Sequence, residues 1–381
     1  MAATRRLLQR VSTAFSTVGA LRSYGVIDGV GIRIRAHNYH PVPVVFSRAT
    51  GTIWDSEGKR YINFLAAYSA VNQGHCHPKI IKALQEQVEK LTLSSRAFYN
   101  DQFPVFAERL RNMLGYEMVL PMKMGTEGVE TALKVARKWG HERKTSPKMK
   151  VKKNILHLFV SQISVILSVA QNIISMSCDN DATRGFGPLL PGNLKVDFGD
   201  ADSLENIFKE WIMLLLDSFL FEPNQGEAGV VIPPEGYLKA VRELSRSGKM
   251  LACDWEEVRP DMVILGKALG GGVIPVSAVL ADKDVMLHIK PGQHGSTFGG
   301  NPLASDVAMA SLDVIEKEKL VERSASHGEE LRIQLNEIKK QYLKYIKEVR
   351  GRGLFNAFEF NSESLSPVSA NGTLICYGPK A

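Results

Sequence analysis

The chain has 381 residues, and its 44% hydrophobic and 23% charged residues are typical of a folded protein and exclude a disordered one. The formal net charge is +7, but several arginines lie in the first 25 residues, so the charge gives no reason to expect a nucleic-acid partner. No uninterrupted apolar stretch reaches the roughly 18 residues of a membrane span, and four scattered cysteines fit a reducing compartment better than a disulfide framework.

Residues 1–25 have the composition of a transit peptide. They are rich in Arg, Ser, Thr and Ala, contain no acidic residue, and space Leu7, Val11 and Phe15 along one helical face. This pattern is typical of import into an organelle. Because arginines dominate the serines, the sequence favours the mitochondrion, with its matrix as the destination, over the plastid.

Strands and helices alternate through the first half of the chain. Residues 42–63 alternate apolar and polar side chains around glycines, which predicts short antiparallel strands. His77-Pro78 begins an amphipathic helix, and residues 103–114 predict a second one. Residues 119–124 predict a short strand that leads through a glycine turn into a helix over residues 130–140.

The alternation returns in the second half, with apolar runs at 219–223 and from Met262 and helical patterns between and after them. This order predicts an α/β protein with a largely parallel, buried sheet. The apolar residues 155–174 follow a basic loop and include several serines and glutamines. Those polar residues argue against a membrane span, so we expect a buried strand or helix there.

Lys267 is the residue that most strongly suggests chemistry. It follows the apolar run Met262–Leu265 and Gly266, and glycines also follow it closely. A lysine at the carboxyl end of a buried strand is partly desolvated, which favours the neutral amine that attacks a carbonyl. The glycines would let a cofactor approach the backbone. The alternative, from spacing alone, is a strand-end lysine that extends into water.

Two glycine-rich segments are candidate phosphate sites. Residues 124–128 (MGTEG) precede a helix, and the amides of such a turn form an anion site. Residues 294–302 (HGSTFGGNP) offer hydroxyls and glycines. Each segment could also be an ordinary loop.

Two other features are less specific. Glu227 lies just beyond an apolar strand, where open parallel sheets place their ligands, although a surface acid is the alternative. His75-Cys76-His77 lacks further ligands at useful spacing. It therefore predicts a turn before the helix and no metal site.

Taken together, these segments resemble the class III, fold type I pyridoxal-phosphate aminotransferases, and within them those that act on ornithine in plant mitochondria. Matching segments include LAAYSAVNQGHCHPKI, EPNQGEAGVVIPPEGYLKAVREL and MVILGKALGGGVIPVSAVLADKDVM, and they extend from Asn38 to about Ala370. The resemblance implies a mostly parallel central sheet with helices on both faces and a smaller α+β domain. The domains it implies are 26–80 (start of the small domain), 81–302 (large cofactor-binding domain) and 303–381 (rest of the small domain).

The resemblance also implies how pyridoxal 5′-phosphate is bound. Lys267 matches the lysine that holds the cofactor covalently and carries the proton between substrate and cofactor. Gly125 and Thr126 match the residues that hold the phosphate. Thr297 matches a hydroxyl offered to the phosphate of the neighbouring subunit, which implies a homodimer.

The implied reaction moves the δ-amino group of ornithine to 2-oxoglutarate, giving glutamate 5-semialdehyde and glutamate, in proline synthesis or arginine breakdown. Tyr39 and Tyr68 match substrate-pocket tyrosines. Glu227 matches an acid that pairs with a C-terminal arginine. Small molecules are therefore the expected partners, with no nucleic acid or membrane.

The sequence departs from the family in blocks. After Leu244 it continues SRSGK, where the family has a strand that ends in an Asp-Glu pair, so the aspartate that pairs with the pyridine nitrogen is missing. The arginines that bind substrate carboxylates are not recognisable either. The alternative function is therefore an inactive or impaired relative, or a mis-spliced product.

Overall fold

The computed structural model describes residues 45–95, 97–144, 158–162, 171–177, 183–211, 216–226, 228–245, 256–361 and 373–377. The predicted transit peptide and two candidate site residues, Tyr39 and Glu227, lie outside these ranges. The chain divides into two compact units, one made of Met1–Arg48 and Ile53–Tyr61 and the other of Ala49–Thr52 and Ile62–Ala381. The domain boundaries predicted at residues 80 and 302 stay a prediction.

The first three strands confirm the short strands predicted near residue 50. They are β1 (Phe46–Thr50), β2 (Thr52–Asp55) and β3 (Arg60–Tyr61), in that order in one sheet. β2 and β3 pair antiparallel. Asp55 closes the turn between them, because its Oδ1 accepts the backbone N–H groups of Glu57 at 3.0 Å and Lys59 at 2.8 Å.

Apart from the short helical turn Ala66–Ser69, nine helices follow in the described part of the chain. They are α1 (Pro78–Val88), α2 (Gln102–Leu114), α3 (Gly125–Lys144), α4 (Gln171–Met176), α5 (Ala201–Trp211), α6 (Tyr237–Ser245), α7 (Lys283–Met286), α8 (Pro302–Lys317) and α9 (Leu320–Gln341). Their ends follow ordinary capping rules. Proline is the first residue of α1 and α8, where its missing N–H has no cost, and α2 ends at Gly115 with φ +70°. No helix in these ranges is long and apolar enough to cross a membrane.

The remaining strands form three separate three-stranded sheets. They are β4 (Met118–Met122), β5 (Leu158–Gln162), β6 (Asn193–Lys195), β7 (Leu216–Phe221), β8 (Met262–Leu265), β9 (Ser277–Ala281), β10 (Ile346–Arg352), β11 (Phe355–Phe360) and β12 (Thr373–Tyr377). Their orders are β4-β9-β8, β6-β5-β7 and β10-β11-β12. β5 pairs parallel with both of its neighbours, whereas β9 is antiparallel to both of its own.

Two of these strands bear directly on the sequence predictions. β5 lies inside the apolar segment 155–174 and takes the central position of its sheet, so a strand is present where a strand or helix was expected. The parallel pairing expected from alternating strands and helices holds for β5, β6 and β7. β9 departs from it, because it turns back beside β8 after the connection of residues 266–276. β10, β11 and β12 also pair antiparallel.

The largest hydrophobic core packs helices against the sheet that contains β4, β8 and β9. Phe106 and Leu110 of α2, Ala278 and Leu280 of β9, and Ala308 of α8 are all fully buried in it. This burial packs one face of the sheet against α2 and α8 and so helps to fix the edge at which β4 and β8 end.

Candidate active site

The strands β4 and β8 bring two predicted site segments to one place. Both pair antiparallel with β9, so they run parallel to each other and end at the same edge of the sheet. Met122 at the end of β4 lies opposite Ser277, and Leu265 at the end of β8 lies opposite Ala278. The segments that follow, the glycine turn and Lys267, therefore meet at this edge.

A cavity of about 350 Å³ lies there. Lys123 lines it, as do Met124 and Gly125 of the glycine turn, Lys267 and residues 272–276. Its volume lies at the lower end of the roughly 300–1,000 Å³ typical of small-molecule sites. The structure thus places the predicted reactive lysine and the predicted phosphate turn in one cavity.

The glycine turn is a helix N-terminus held close to the sheet. Gly125 is the first residue of α3, a 20-residue helix, whose first N–H groups have no acceptor within the helix and favour an anion. Ser277 Oγ donates to the Met124 carbonyl at 2.7 Å. Gly128 allows close packing, because a Cβ atom there would lie 2.8 Å from Ile264 Cγ2.

Lys267 begins a tight turn directly after β8. Gly266 is extended, Lys267 has a left-handed φ of +48°, and a 3-10 helix runs over Lys267–Gly270. A Cβ atom on Gly266 would lie 3.7 Å from Gly125 Cα, so the two segments approach closely. The desolvation predicted for Lys267 is wrong for the single chain. Its side chain is exposed, because it lies on the wall of a cavity and not within the packed strand layer.

Gln73 is a site residue that the sequence analysis missed. Its side chain is only 5% exposed, and its Nε2 donates to the carbonyl of Ala268 at 2.8 Å, one residue after Lys267. Its Oε1 has no hydrogen-bond partner among the described residues. The two bonded residues are 195 positions apart, so no local pattern links them.

Two further predicted residues lie near the cavity. Thr126 is half-buried and follows Gly125 in the first turn of α3. Tyr68 is 36% exposed and belongs to a short helical turn, Ala66–Ser69, whose φ angles of +47° to +68° are left-handed. Ala70, directly after that turn, lines the cavity. The roles implied for Thr126 and Tyr68 stay predictions.

Thr297 lies at a different cavity, of about 330 Å³. Phe98, Tyr99 and Asn100 line it as well, and neither Lys267 nor Gly125 does. One chain therefore does not bring Thr297 into the cavity of Lys267. Its implied contact with a neighbouring subunit stays a prediction.

The His75-Cys76-His77 segment makes structural contacts. His75 Nε2 lies 2.7 Å from Asn63 Nδ2, and His77 Nε2 lies 3.3 Å from Glu318 Oε1. No group of three His, Cys, Asp or Glu residues within the described ranges is arranged to hold a metal ion.

Comparison with known proteins identifies the family. The family model described as aminotransferase class-III matches residues 34–246 and 243–371, which is most of the chain. The chain belongs to the class-III aminotransferases. It is therefore a pyridoxal-phosphate-dependent aminotransferase with the fold type I α/β architecture, as the sequence predicted. The two matched pieces meet at residues 243–246, where the sequence departs from the family.

Individual relatives of this class-III aminotransferase agree closely with it. The mitochondrial ornithine aminotransferase of Arabidopsis thaliana is 73% identical, over 97% of this chain and 83% of that protein. The corresponding protein of Oryza sativa subsp. japonica is 62% identical, over 88% and 73%. The crystal structure of ornithine aminotransferase from Toxoplasma gondii ME49 is 39% identical, with a TM-score of 0.82, over 89% of this chain and 82% of that one.

The residues of the cavity at Lys267 fit pyridoxal phosphate. Lys267 supplies an amine for its aldehyde, and the N-terminus of α3 supplies N–H groups for its phosphate. The close approach of Gly266 to Gly125 keeps these two groups at one site, because neither residue has a side chain in the space between the segments.

Proposed function

We propose that this chain is an ornithine aminotransferase, which transfers the δ-amino group of ornithine to 2-oxoglutarate and so forms glutamate 5-semialdehyde and glutamate. The observation that carries the proposal is the single cavity lined by Lys267 and Gly125. The 73% identity to the Arabidopsis ornithine aminotransferase supports ornithine as the substrate and does not favour an inactive relative. The products would enter proline synthesis or arginine breakdown.

Lys267 and the glycine turn would bind different parts of the cofactor. When bound, pyridoxal phosphate supplies an aldehyde and a conjugated ring that stabilises negative charge on a substrate carbon. Lys267 would hold the cofactor and then move the substrate proton at its Nζ atom. Gly125 and Thr126, at the positive end of the α3 dipole, would hold the phosphate.

The substrate residues are proposed from the resemblance alone. Tyr39 and Tyr68 would shape the ornithine pocket, and Glu227 would pair with a C-terminal arginine and help one pocket accept both ornithine and 2-oxoglutarate. No carboxylate among the described residues lines the cavity of Lys267. Because the sequence after Leu244 lacks the family's Asp-Glu pair, we expect the ring nitrogen to lack its acidic partner and turnover to be slower than in a relative that has one.

We also propose that two chains form a homodimer, with Thr297 reaching the phosphate of the neighbouring subunit. Support comes from the surface around Thr297, where Phe98 is 73% exposed and Tyr99 is fully exposed. Large aromatic side chains left in water next to a cavity are typical of an interface with another protein.

The proposed location is the mitochondrial matrix. The relatives from Arabidopsis and rice are both named mitochondrial, and residues 1–25 have the composition of a transit peptide.

Borohydride reduction tests the proposed site. The full chain is incubated with pyridoxal phosphate and reduced, and the modified peptides are mapped by mass spectrometry. We expect the adduct on Lys267, and we expect Lys267→Ala to lose it. In a separate, unreduced sample, ornithine should convert the bound cofactor to its amine form, read by absorbance. Adducts scattered over surface lysines, or no response to ornithine, would support the inactive relative instead.

A further inference from the structure

Side chains on one face of α3, and in the turn before it, contact residues 293–298 from one end of that segment to the other. The side chains that do so recur every three or four residues, so they lie on one side of the helix and of the turn before it. They are Lys123, Glu127, Thr131, Lys134 and Lys138. The segment runs in the opposite direction to the helix, with Gln293 near its middle and Phe298 near its start.

Glu127 is the member of this face that touches both the glycine turn and the segment. Its Oε2 accepts the backbone N–H of Lys123 at 2.7 Å and the hydroxyl of Ser296 at 3.0 Å. Lys123 lines the cavity of Lys267, and Ser296 directly precedes Thr297. The Glu127 carboxylate therefore connects Lys123, at the cavity of Lys267, to Ser296, the residue before Thr297.

Thr131 and His294 make the next contact along the face. The Thr131 hydroxyl donates to the Glu127 carbonyl at 2.6 Å and lies 2.9 Å from His294 Nε2. Because its only hydrogen is already used, it accepts from His294 Nε2–H. His294 Nδ1 then faces Lys134 Nζ at 3.4 Å, a donor that matches an unprotonated nitrogen.

Lysines secure the two ends of the segment. Lys134 Nζ donates to the Gln293 carbonyl at 2.6 Å, and Lys138 Nζ donates to the Gln293 side-chain oxygen. At the other end, Lys123 Nζ lies 5.2 Å from the ring centroid of Phe298, within the range of a cation–π contact. Both neighbours of Thr297 in the chain are therefore in contact with this face: Ser296 with Glu127, and Phe298 with Lys123.

We propose that Glu127 is a positioning residue that links the two cofactor sites of the dimer. It fixes the glycine turn that holds the phosphate in its own subunit, and through Ser296 it fixes the Thr297 hydroxyl offered to the phosphate of the neighbouring subunit. This inference rests on the proposed function, in particular on the homodimer. Its specific consequence is that a change at Glu127 weakens cofactor binding in both subunits.

Hybrid dimers test this consequence. One subunit carries Lys267→Ala, so that only its partner holds the cofactor covalently, and the dissociation constant of pyridoxal phosphate is read from the absorbance of the covalent form. Glu127→Gln is introduced either into the Lys267 subunit or into the other one. We expect each placement to raise the dissociation constant by roughly tenfold, because the charged oxygen that accepts two hydrogen bonds is replaced by a weaker, neutral amide acceptor.

Ser296→Ala and Glu117→Gln complete the design. Ser296→Ala should raise the constant only when placed in the subunit that lacks Lys267, because Ser296 orients the hydroxyl given to the neighbour. It also serves if Glu127→Gln folds poorly. Glu117 accepts the backbone N–H of Lys283 at 3.0 Å and precedes β4, at the end of that strand away from the cavity. Glu117→Gln should leave the constant unchanged in either placement.

The outcomes separate this inference from the proposed function. If both changes in the subunit without Lys267 leave the constant within twofold of the Glu117→Gln control, the link between sites is wrong and the proposed function stands. If the wild-type chain forms no adduct on Lys267, the proposed function is wrong. If it remains a monomer, the proposed dimer is wrong. In either case this inference is wrong as well.

Discussion

At the scale of single residues, the backbone of Lys267 needs support. A φ of +48° costs a residue with a side chain about 1–2 kcal/mol. The hydrogen bond from Gln73 Nε2 to the Ala268 carbonyl offsets part of this cost, and the Leu269 N–H also bonds back to the Gly266 carbonyl at 3.1 Å. Gln73 therefore acts on the reactive amine through the backbone beside it.

Replacing Gln73 tests this role, and Gln87 provides a matched control. Gln87 is also buried, and its Nε2 also donates to a backbone carbonyl, that of Leu91, at 2.9 Å. Gln73→Leu and Gln87→Leu should each lower the free energy of unfolding by about 1 kcal/mol, measured by urea denaturation. Only Gln73→Leu should also weaken pyridoxal phosphate binding, by severalfold. Equal cofactor affinity in both variants would contradict the role.

At the scale of elements, the contact between α3 and β8 decides how close the glycine turn lies to Lys267. Gly128 on α3 faces Ile264 on β8 with no room for a Cβ atom. A methyl group there would push the helix away from the sheet or force a neighbouring side chain out of its rotamer. The same helix carries Gly125, whose added Cβ would meet nothing within 4 Å.

Gly128→Ala should therefore destabilise the protein by about 1–3 kcal/mol, read from its denaturation midpoint, and should weaken cofactor binding. Gly125→Ala is the control for stability, since its new methyl group enters open space. In an Ile264→Ala background the cost of Gly128→Ala should shrink, because the clashing atom is gone. A cost that does not depend on residue 264 would argue against the contact.

The turn between β2 and β3 should make the stability of the protein depend on pH. Burial disfavours the charged form of Asp55, but hydrogen bonds from Lys59, Tyr61 and Glu57 outweigh it and hold the pKa of Asp55 below its ordinary 3.8. A lowered pKa means that the carboxylate stabilises the fold above pH 3.8 and that this contribution is lost as the pH falls through the folded pKa.

Thermal unfolding of Asp55→Asn checks this. The variant should melt below the wild type at pH 7, and the gap should close as the pH falls below about 4. Glu89→Gln, a change at an exposed acid beyond α1, should melt like the wild type throughout. A difference in melting temperature between Asp55→Asn and the wild type that is constant with pH would mean that the charge of Asp55 does not stabilise the turn.

At the scale of the whole molecule, the sequence predicted the parts of the site that are local and missed those that are not. Lys267 after a strand and Gly125 before a helix could be predicted, because the strand, the glycines and the helix are neighbours along the chain. Gln73 and β9 were not, because a buried amide 195 residues from its acceptor and a strand that turns back beside its predecessor depend on tertiary packing. Tyr39 and Glu227 stay predictions.

The whole molecule should also gain stability from its cofactor. A ligand that binds only the folded state at one hundred times its dissociation constant adds about 2.7 kcal/mol, or roughly 3–4 °C in melting temperature for a chain of this size. Pyridoxal, which keeps the aldehyde but lacks the phosphate, is the matched control and should give a much smaller shift. Lys267→Ala should retain part of the response to pyridoxal phosphate, because the α3 N-terminus still binds the phosphate. Equal shifts from the two ligands would mean that the glycine turn does not recognise phosphate and that Lys267 alone holds the cofactor.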